Sequence, residues 1–385
     1  MKALTRTLWF VAHAAWSLAS LVVLAVTRRR AVLVFTHEPD VVRERDRQMG
    51  PLVERLSATR VPFVEIVFVA LDCDFVRCVR RLRRPFISYA LLAGPARVLS
   101  LASADRAVAR NAARARLAGW LLDLLRPTRL ILTDESGSGQ PLVRAARARA
   151  LPVLGIQHGD FQPDNAQYAP VGAEPFAVEP VDLLCVWSEW FAARLRRVSP
   201  IYDARRIAVT GRLRFPASAQ DEPNEQDDGE RNGALRVLLL SEAGDAFPEQ
   251  VAPYLAALDA AADVRLTVRP HPAEARARWA ERTLDAGELG AALARCDLAL
   301  GVASSALLEA LYHRRPAVTL VVEGRDDPAG YAADSVVARC ALPEDLVATC
   351  RALAADSARA RLDGRRARVW GADEGDAVEA VLERC

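Results

Sequence analysis

Short runs of consecutive apolar residues recur along the chain, separated by Ala-, Arg- and Leu-rich stretches of helical length. Residues 31–36 (AVLVFT), 61–68, 129–133 (RLILT), 152–156 (PVLGI), 183–187 (LLCVW) and 206–210 (RIAVT) are of this kind. Such runs fit strands buried on both faces, as in parallel sheets covered by helices. Helical patterns at 103–125 and 141–150 fall between them, so the expected class is α/β. The pattern stops at 217–233 (ASAQDEPNEQDDGERNG), an acidic, turn-rich stretch without a large apolar residue, which reads as a linker. It then restarts, with strands expected at 235–240 (LRVLLL), 264–268, 297–301 and 316–321 and helices at 248–262, 286–295 and 304–313. Two α/β units flanking a linker suit a chain of 385 residues.

Residues 8–27 (LWFVAHAAWSLASLVVLAVT) contain no Asp, Glu, Lys or Arg. As a helix they are about 30 Å long, enough for a bilayer core. Lys2 and Arg6 precede the segment, and Arg28, Arg29 and Arg30 follow it without a small-x-small cleavage site. The segment is expected to be a membrane anchor, spanning the bilayer or lying in its interface. The alternative is a buried first helix of the α/β unit. The arginine triplet puts the rest of the chain on the cytoplasmic side. The expected organisation is therefore an anchor at 1–30, an acceptor domain at 31–216, the linker at 217–233 and a donor-nucleotide domain at 234–385.

The net charge of +2 conceals an asymmetry: residues 1–216 carry 32 basic against 19 acidic side chains, so 51 − 32 = 19 basic and 49 − 19 = 30 acidic ones remain. A basic first half suits an anionic partner or membrane surface. Arg77, Arg80, Arg81, Arg83 and Arg84 form a dense basic run, either a solvated helix face or a contact with lipid headgroups or an anionic acceptor. Seven cysteines without C-x-x-C spacing argue against a disulfide framework or a zinc ribbon, and fit reduced thiols.

Ligands of open α/β sheets bind beyond the carboxyl ends of the strands. In the second half, strand 264–268 leads into Arg269, Pro270, His271 and Pro272, with Glu274 close by. Strand 297–301 leads into Ser304 and Ser305, which open a helix carrying Glu309. Hydroxyls and free N–H groups at a helix start suit a phosphate, which Arg269 and His271 at the neighbouring strand end would also reach. Plain N-capping by the serines, and a turn role for His271, are the structural alternatives. In the first half, strand 129–133 leads into Asp134 and Glu135, and strand 152–156 into Gln157, His158, Gly159 and Asp160. An acid and a histidine at adjacent strand ends are candidates to take a proton from an acceptor hydroxyl. Asp134 as a helix cap and His158 as a packed loop residue are the alternatives. Gly159 suggests a tight turn. His37, after the first strand, and Arg212, after strand 206–210, are further candidates for the cleft.

No phosphate loop of the G-x-x-x-x-G-K-[ST] type is present, nor a G-x-G-x-x-G after a strand, nor a G-x-S-x-G elbow. No D-x-D lies at a strand end, which disfavours a metal-dependent transferase; Asp72, Cys73 and Asp74 precede a basic helical stretch instead.

Gln157-His158-Gly159, residues 182–190 (DLLCVWSEW), Val209-Thr210-Gly211-Arg212, Arg269-Pro270-His271-Pro272 and residues 297–309 (DLALGVASSALLE) together resemble the GT-B glycosyltransferase superfamily. Within it, the likeness is to the capsule Kdo transferases, bacterial polysialyltransferases and CDP-glycerol glycerophosphotransferases, over about residues 130–320. The resemblance implies two Rossmann-like domains facing a cleft and an inverting, metal-independent transfer without a cofactor. It implies that His271, Ser304 and Ser305 bind the phosphate of a nucleotide-activated, cytidine-type donor. It implies a base in the amino-terminal domain, His158 first and Glu135 second, since Ser136 interrupts the polysialyltransferase acidic motif here. The expected partners are a nucleotide-activated sugar or alditol, a surface-polysaccharide or lipid-linked acceptor and a membrane surface, with no nucleic acid. The expected place is the cytoplasmic face of the plasma membrane. A nucleotide-sugar 2-epimerase and a non-catalytic scaffold of a polysaccharide assembly complex are the competing readings.

Overall fold

The computed structural model describes residues 2–27, 30–37, 49–69, 71–72, 74–103, 105–133, 137–161, 168, 178–213, 233–242, 244, 246–271, 274–285, 287–355, 361–371 and 377–384. Asp134, Glu135, Cys73 and nearly all of the expected linker lie outside them. The chain forms two units, Met1–Arg214 with Glu374–Cys385, and Phe215–Asp373.

Unit 1 is built on seven parallel strands: β1 (Val32–His37), β2 (Phe63–Phe68), β3 (Ile87–Ser88), β4 (Arg129–Leu132), β5 (Val153–Ile156), β6 (Leu183–Val186) and β7 (Ile207–Val209). They lie in the order β3-β2-β1-β4-β5-β6-β7, a Rossmann-like sheet whose order reverses between β1 and β4. The apolar runs are central because both sheet faces are covered: Leu33, Val34, Leu130, Ile131 and Leu132 are fully buried. Each such side chain contributes about 1.5–3 kcal/mol on burial.

The helices of unit 1 are α1 (Lys2–Thr27), α2 (Gly50–Ala58), α3 (Asp74–Leu82), α4 (Ala90–Leu99), α5 (Arg106–Leu125), α6 (Gln140–Arg147) and α7 (Glu189–Val198). The start of α5 is set by Asp105, whose carboxylate accepts the N–H groups of Ala107 and Val108, and its end by Arg126 in the left-handed region at φ 49.

Unit 2 carries five parallel strands: β8 (Leu235–Leu240), β9 (Val264–Arg269), β10 (Leu298–Gly301), β11 (Ala317–Leu320) and β12 (Ala338–Cys340). Their order is β12-β11-β10-β8-β9, with the reversal between β8 and β10. The helices are α8 (Phe247–Asp259), α9 (Leu289–Arg295), α10 (Ala306–Tyr312), α11 (Leu346–Ala354) and α12 (Leu362–Trp370). The unit's core joins Val237, Leu239, Leu298 and Leu300 of the sheet to Val251, Leu255 and Leu258 of α8.

The domain ends differ from the sequence expectation in two places. The last helix, α13 (Ala377–Glu383), belongs to unit 1 and not to a donor domain running to 385. Val381 enters the core formed by Val34, Leu52, Leu56 and Ile131, and Glu379 pairs with Arg55 at 3.3 Å. The apolar side of this helix, Val378, Val381 and Leu382, finds its cover there. The anchor expected at 1–30 is likewise no separate body: α1 packs on β3 and α4 of unit 1. Cys78, Cys185, Cys296, Cys340 and Cys350 are free and buried, and burial pushes the Cys296 and Cys350 thiols up to about 12.

The packing of α1 turns on His13. Its ring stacks on Phe75 at 3.9 Å between centroids, and Nδ1 lies 2.7 Å from Ser88 Oγ. Burial pushes its pKa from 6.5 down to about 4, with Asp72 acting weakly the other way. The neutral ring is therefore the docked form. The stabilisation it adds is complete above pH 6.5 and is lost as pH falls to about 4. Docking of α1, followed through the fluorescence of Trp9 and Trp16, is expected to weaken over that window in the wild type and to stay flat in His13→Gln. Identical profiles for the two proteins would contradict this role.

Candidate functional site

In unit 2 the sheet order reverses between β8 and β10, and the carboxyl ends of strands at such a reversal are where open α/β sheets take ligands. Ser241 and Glu242 follow β8, and Val302 to Ser305 follow β10. The Glu242 carboxylate accepts the backbone N–H of Ala303 and pairs with Arg325 at 3.0 Å. Beside it, Ser241 Oγ donates to Glu274 Oε2 at 2.5 Å, and the His271 N–H reaches the same oxygen at 3.3 Å. The ends of β9, β8 and β10 are thus tied together by two carboxylates. Thr319 Oγ1 adds a bond to the Val302 carbonyl at 2.7 Å.

The expected phosphate ligands are placed as follows. Ser304 Oγ accepts the Ala306 N–H at 3.3 Å, so part of its role is the capping that was the alternative reading. Ser305 is exposed, and its side chain makes no cap bond. Glu309 follows on α10, half-buried. The His271 side chain is exposed at the end of β9. Arg269 differs from expectation: its guanidinium is held by Asp285 at 3.3 Å and by the Gly287 carbonyl at 2.8 Å. Arg325 is the cation that stands by the serine turn, linked to it through Glu242. Sequence reasoning missed Glu242 and Arg325. Glu242 had a signal, since it lies two residues beyond the apolar run 235–240; Arg325, in a loop after β11, had none.

A phosphate at this turn would meet the Ser304 and Ser305 hydroxyls, beside the Glu242 carboxylate that holds the Ala303 N–H and Arg325. Hydrogen bonds to a charged group contribute about 1.5–3 kcal/mol each. Ser304→Ala with Ser305→Ala is therefore expected to weaken nucleotide binding at least about tenfold, while the free protein loses only about 1 kcal/mol of stability with the Ser304 cap. Unchanged affinity for every nucleotide tested would remove the phosphate site.

In unit 1 the described candidates follow three strands: His37 ends β1, Gln157 and His158 follow β5, and Arg212 follows β7. Gln157 is fully buried, and its side chain is used by the fold. Oε1 accepts the Trp187 N–H at 2.9 Å, and Nε2 donates to the Gly159 carbonyl at 2.8 Å. The Trp187 indole N–H returns a bond to the Gln157 carbonyl at 3.1 Å. Gln157 thus holds the loop, which corrects its reading as an acceptor contact. Arg212 is buried with its guanidinium 4.7 Å above the Trp187 ring. Asp160 and Arg194 form a buried ion pair at 3.0 Å, with side chains 2% and 1% exposed.

His158 stands half-buried between Gln157 and Asp160, two residues whose side chains are fixed. The chain bends at Gly159 without a left-handed backbone, and among the described residues a Cβ there would meet nothing within 4 Å. His37 ends β1 with its ring 5.3 Å from both Phe35 and Phe68. Asp134 and Glu135 follow β4, outside the described residues.

No family model and no curated protein matches the sequence. The fold is widely shared among solved structures. A UDP-GlcNAc 2-epimerase from Neisseria meningitidis bound to UDP-GlcNAc superposes with a TM-score of 0.59, at 10% identity over 92% of this chain and 98% of that one. S. aureus MnaA with UDP gives 0.57, at 12% identity over 92% and 95%. CalG4, the calicheamicin glycosyltransferase, gives 0.57, at 16% identity over 93% and 99%. The chain has the GT-B fold of these nucleotide-sugar enzymes, two α/β units with parallel sheets.

Proposed function

We propose that the protein is an inverting, metal-independent transferase. It moves a sugar or alditol phosphate from a nucleotide-activated donor to a surface-polysaccharide (capsule-type) or lipid-linked acceptor at the cytoplasmic face of the plasma membrane. The observation that supports the reading is the set of ties at the strand ends of unit 2: Glu242 links the end of β8 to Ala303 before the serines and to Arg325, and Glu274 links Ser241 to the His271 N–H. In the proposed step His158 takes the proton of the acceptor hydroxyl, with Glu135 next in line and then Asp134. The oxygen forms its bond as the donor's bond to phosphate breaks. Charge developing on the departing phosphate is met by His271, Arg325 and the serine hydroxyls, and each such donor is worth roughly 3–4 kcal/mol in the transition state. The likeness in residues argues for a cytidine donor, whereas the epimerase structure above carries UDP-GlcNAc and MnaA carries UDP.

The second reading is a nucleotide-sugar 2-epimerase, supported by the fold of those same structures. An epimerase needs no acceptor. The test is to incubate the full chain with a panel of CMP-, CDP-, UDP- and GDP-activated donors, with and without a lipid extract as acceptor. Release of nucleotide that depends on the extract is the expected result. Conversion of a donor to its 2-epimer without any extract would replace the transferase reading.

A further inference from the structure

Helix α1 presents its two faces in an unusual sense. The inner line, against β3 and α4, holds His13, Ser17 and Ser20 together with Leu21 and Leu24. Ser17 Oγ accepts the Ser88 N–H at 2.9 Å, and His13 meets Ser88 Oγ. The outer line is apolar throughout: Leu8, Val11, Leu18, Val22 and Val26 are 62%, 57%, 52%, 70% and 80% exposed. At 3.6 residues per turn these positions fall on one stripe about 27 Å long. Helix α3 lies alongside, with Phe75, Cys78 and Leu82 packed on Trp9 and Trp16. Its solvent side bears Arg77, Arg80, Arg81 and Arg83, which line one open pocket. Among the described residues Arg77 pairs with Asp74 at 2.6 Å, while Arg80, Arg81 and Arg83 have no carboxylate partner.

We infer that α1 lies in the plane of an anionic phospholipid bilayer, its outer stripe in the acyl boundary and the α3 arginines on the headgroup phosphates. An apolar stripe next to a dense cationic group matches the two layers of an anionic membrane surface. The helix does not cross the bilayer, because its contacts with unit 1 run from Trp9 to Leu24. An upright helix would draw β3, α3 and their polar groups into hydrocarbon, where unpaired polar groups are not tolerated. A second copy of the chain is a poorer occupant, since pairing along this face would bring two arginine clusters together.

The test is flotation of the full chain with vesicles of phosphatidylcholine alone or mixed with phosphatidylglycerol, without nucleotide. It is independent of the transferase reading, and its failure would leave the donor site untouched. The wild type is expected to float with the mixed vesicles at least about tenfold better than with neutral ones, and to be released by alkaline carbonate. Val22→Glu with Val26→Glu is expected to lower binding to both at least about tenfold. Arg80→Glu with Arg81→Glu is expected to remove only the preference for the anionic vesicles. All these positions are exposed, and circular dichroism checks that the variants are folded. Absent vesicle binding, unchanged binding by the valine variant, retention after carbonate, or a dimer in place of lipid binding would each overturn the inference.

Discussion

His158→Ala is expected to lower the rate of transfer by about two to four orders of magnitude, the usual contribution of a positioned general base. Nucleotide affinity is expected to stay as in the wild type, because the proposed phosphate ligands belong to the other unit. The imidazole stands half-buried at the end of β5 between two side chains held by the fold. Gln157 before it is bonded through both side-chain polar atoms, and Asp160 after it is held in an ion pair. The measurement is single-turnover transfer at saturating donor. Near-normal turnover would move the base role to Glu135 or Asp134. Loss of nucleotide binding together with rate would mean that the change had damaged the fold.

Asp160→Ala is expected to cost about 3–5 kcal/mol of stability, since it leaves Arg194 charged in the core of unit 1. Arg194 is 1% exposed, donates to the carboxylate through Nε and Nη2 and faces the Trp190 ring at 5.3 Å, so water has no ready access to it. For a unit of this size the loss corresponds to roughly 10 °C in melting temperature. Replacing both partners, Asp160→Ala with Arg194→Met, is expected to recover much of it, because no charge is then stranded. A single-variant loss below about 1 kcal/mol would show that the pair is solvated and that the loop after β5 is held by Gln157 alone.

The strands of both sheets were legible because parallel strands covered on two sides leave continuous apolar runs, and ten of them can be read by eye in residues 31–36 to 316–321. The short edge strands β3 (Ile87–Ser88) and β12 (Ala338–Cys340) were not, since two or three residues carry no periodicity. Helix α13 was placed with the wrong unit. Its pattern of Val378, Val381 and Leu382 announces an apolar face but not which core will cover it. The places of Ser304, Ser305, His271 and His158 at strand ends were legible, because the strands before them were. The site was illegible where a side chain can turn either way. Arg269 and Gln157 stand at strand ends, yet one is drawn to Asp285 and the other to Trp187. Arg325 enters through a loop with no marker in the sequence, and only the contact with Glu242 reveals it.

The donor site is the centre of this account, and calorimetric titration of the full chain with CMP, CDP, UMP, UDP and GDP tests it most directly. A ligand that binds the native state also raises the melting temperature, by about 2.7 kcal/mol of added stability at one hundred times its dissociation constant. The expected result is saturable binding of at least one of these nucleotides, weakened at least about tenfold in Ser304→Ala with Ser305→Ala. Cytidine preference would support the capsule-type donors, and uridine preference would keep the enzyme while changing its donor. Absence of binding and of any thermal shift, in a folded sample, would contradict the account and favour a scaffold that keeps the fold without the chemistry.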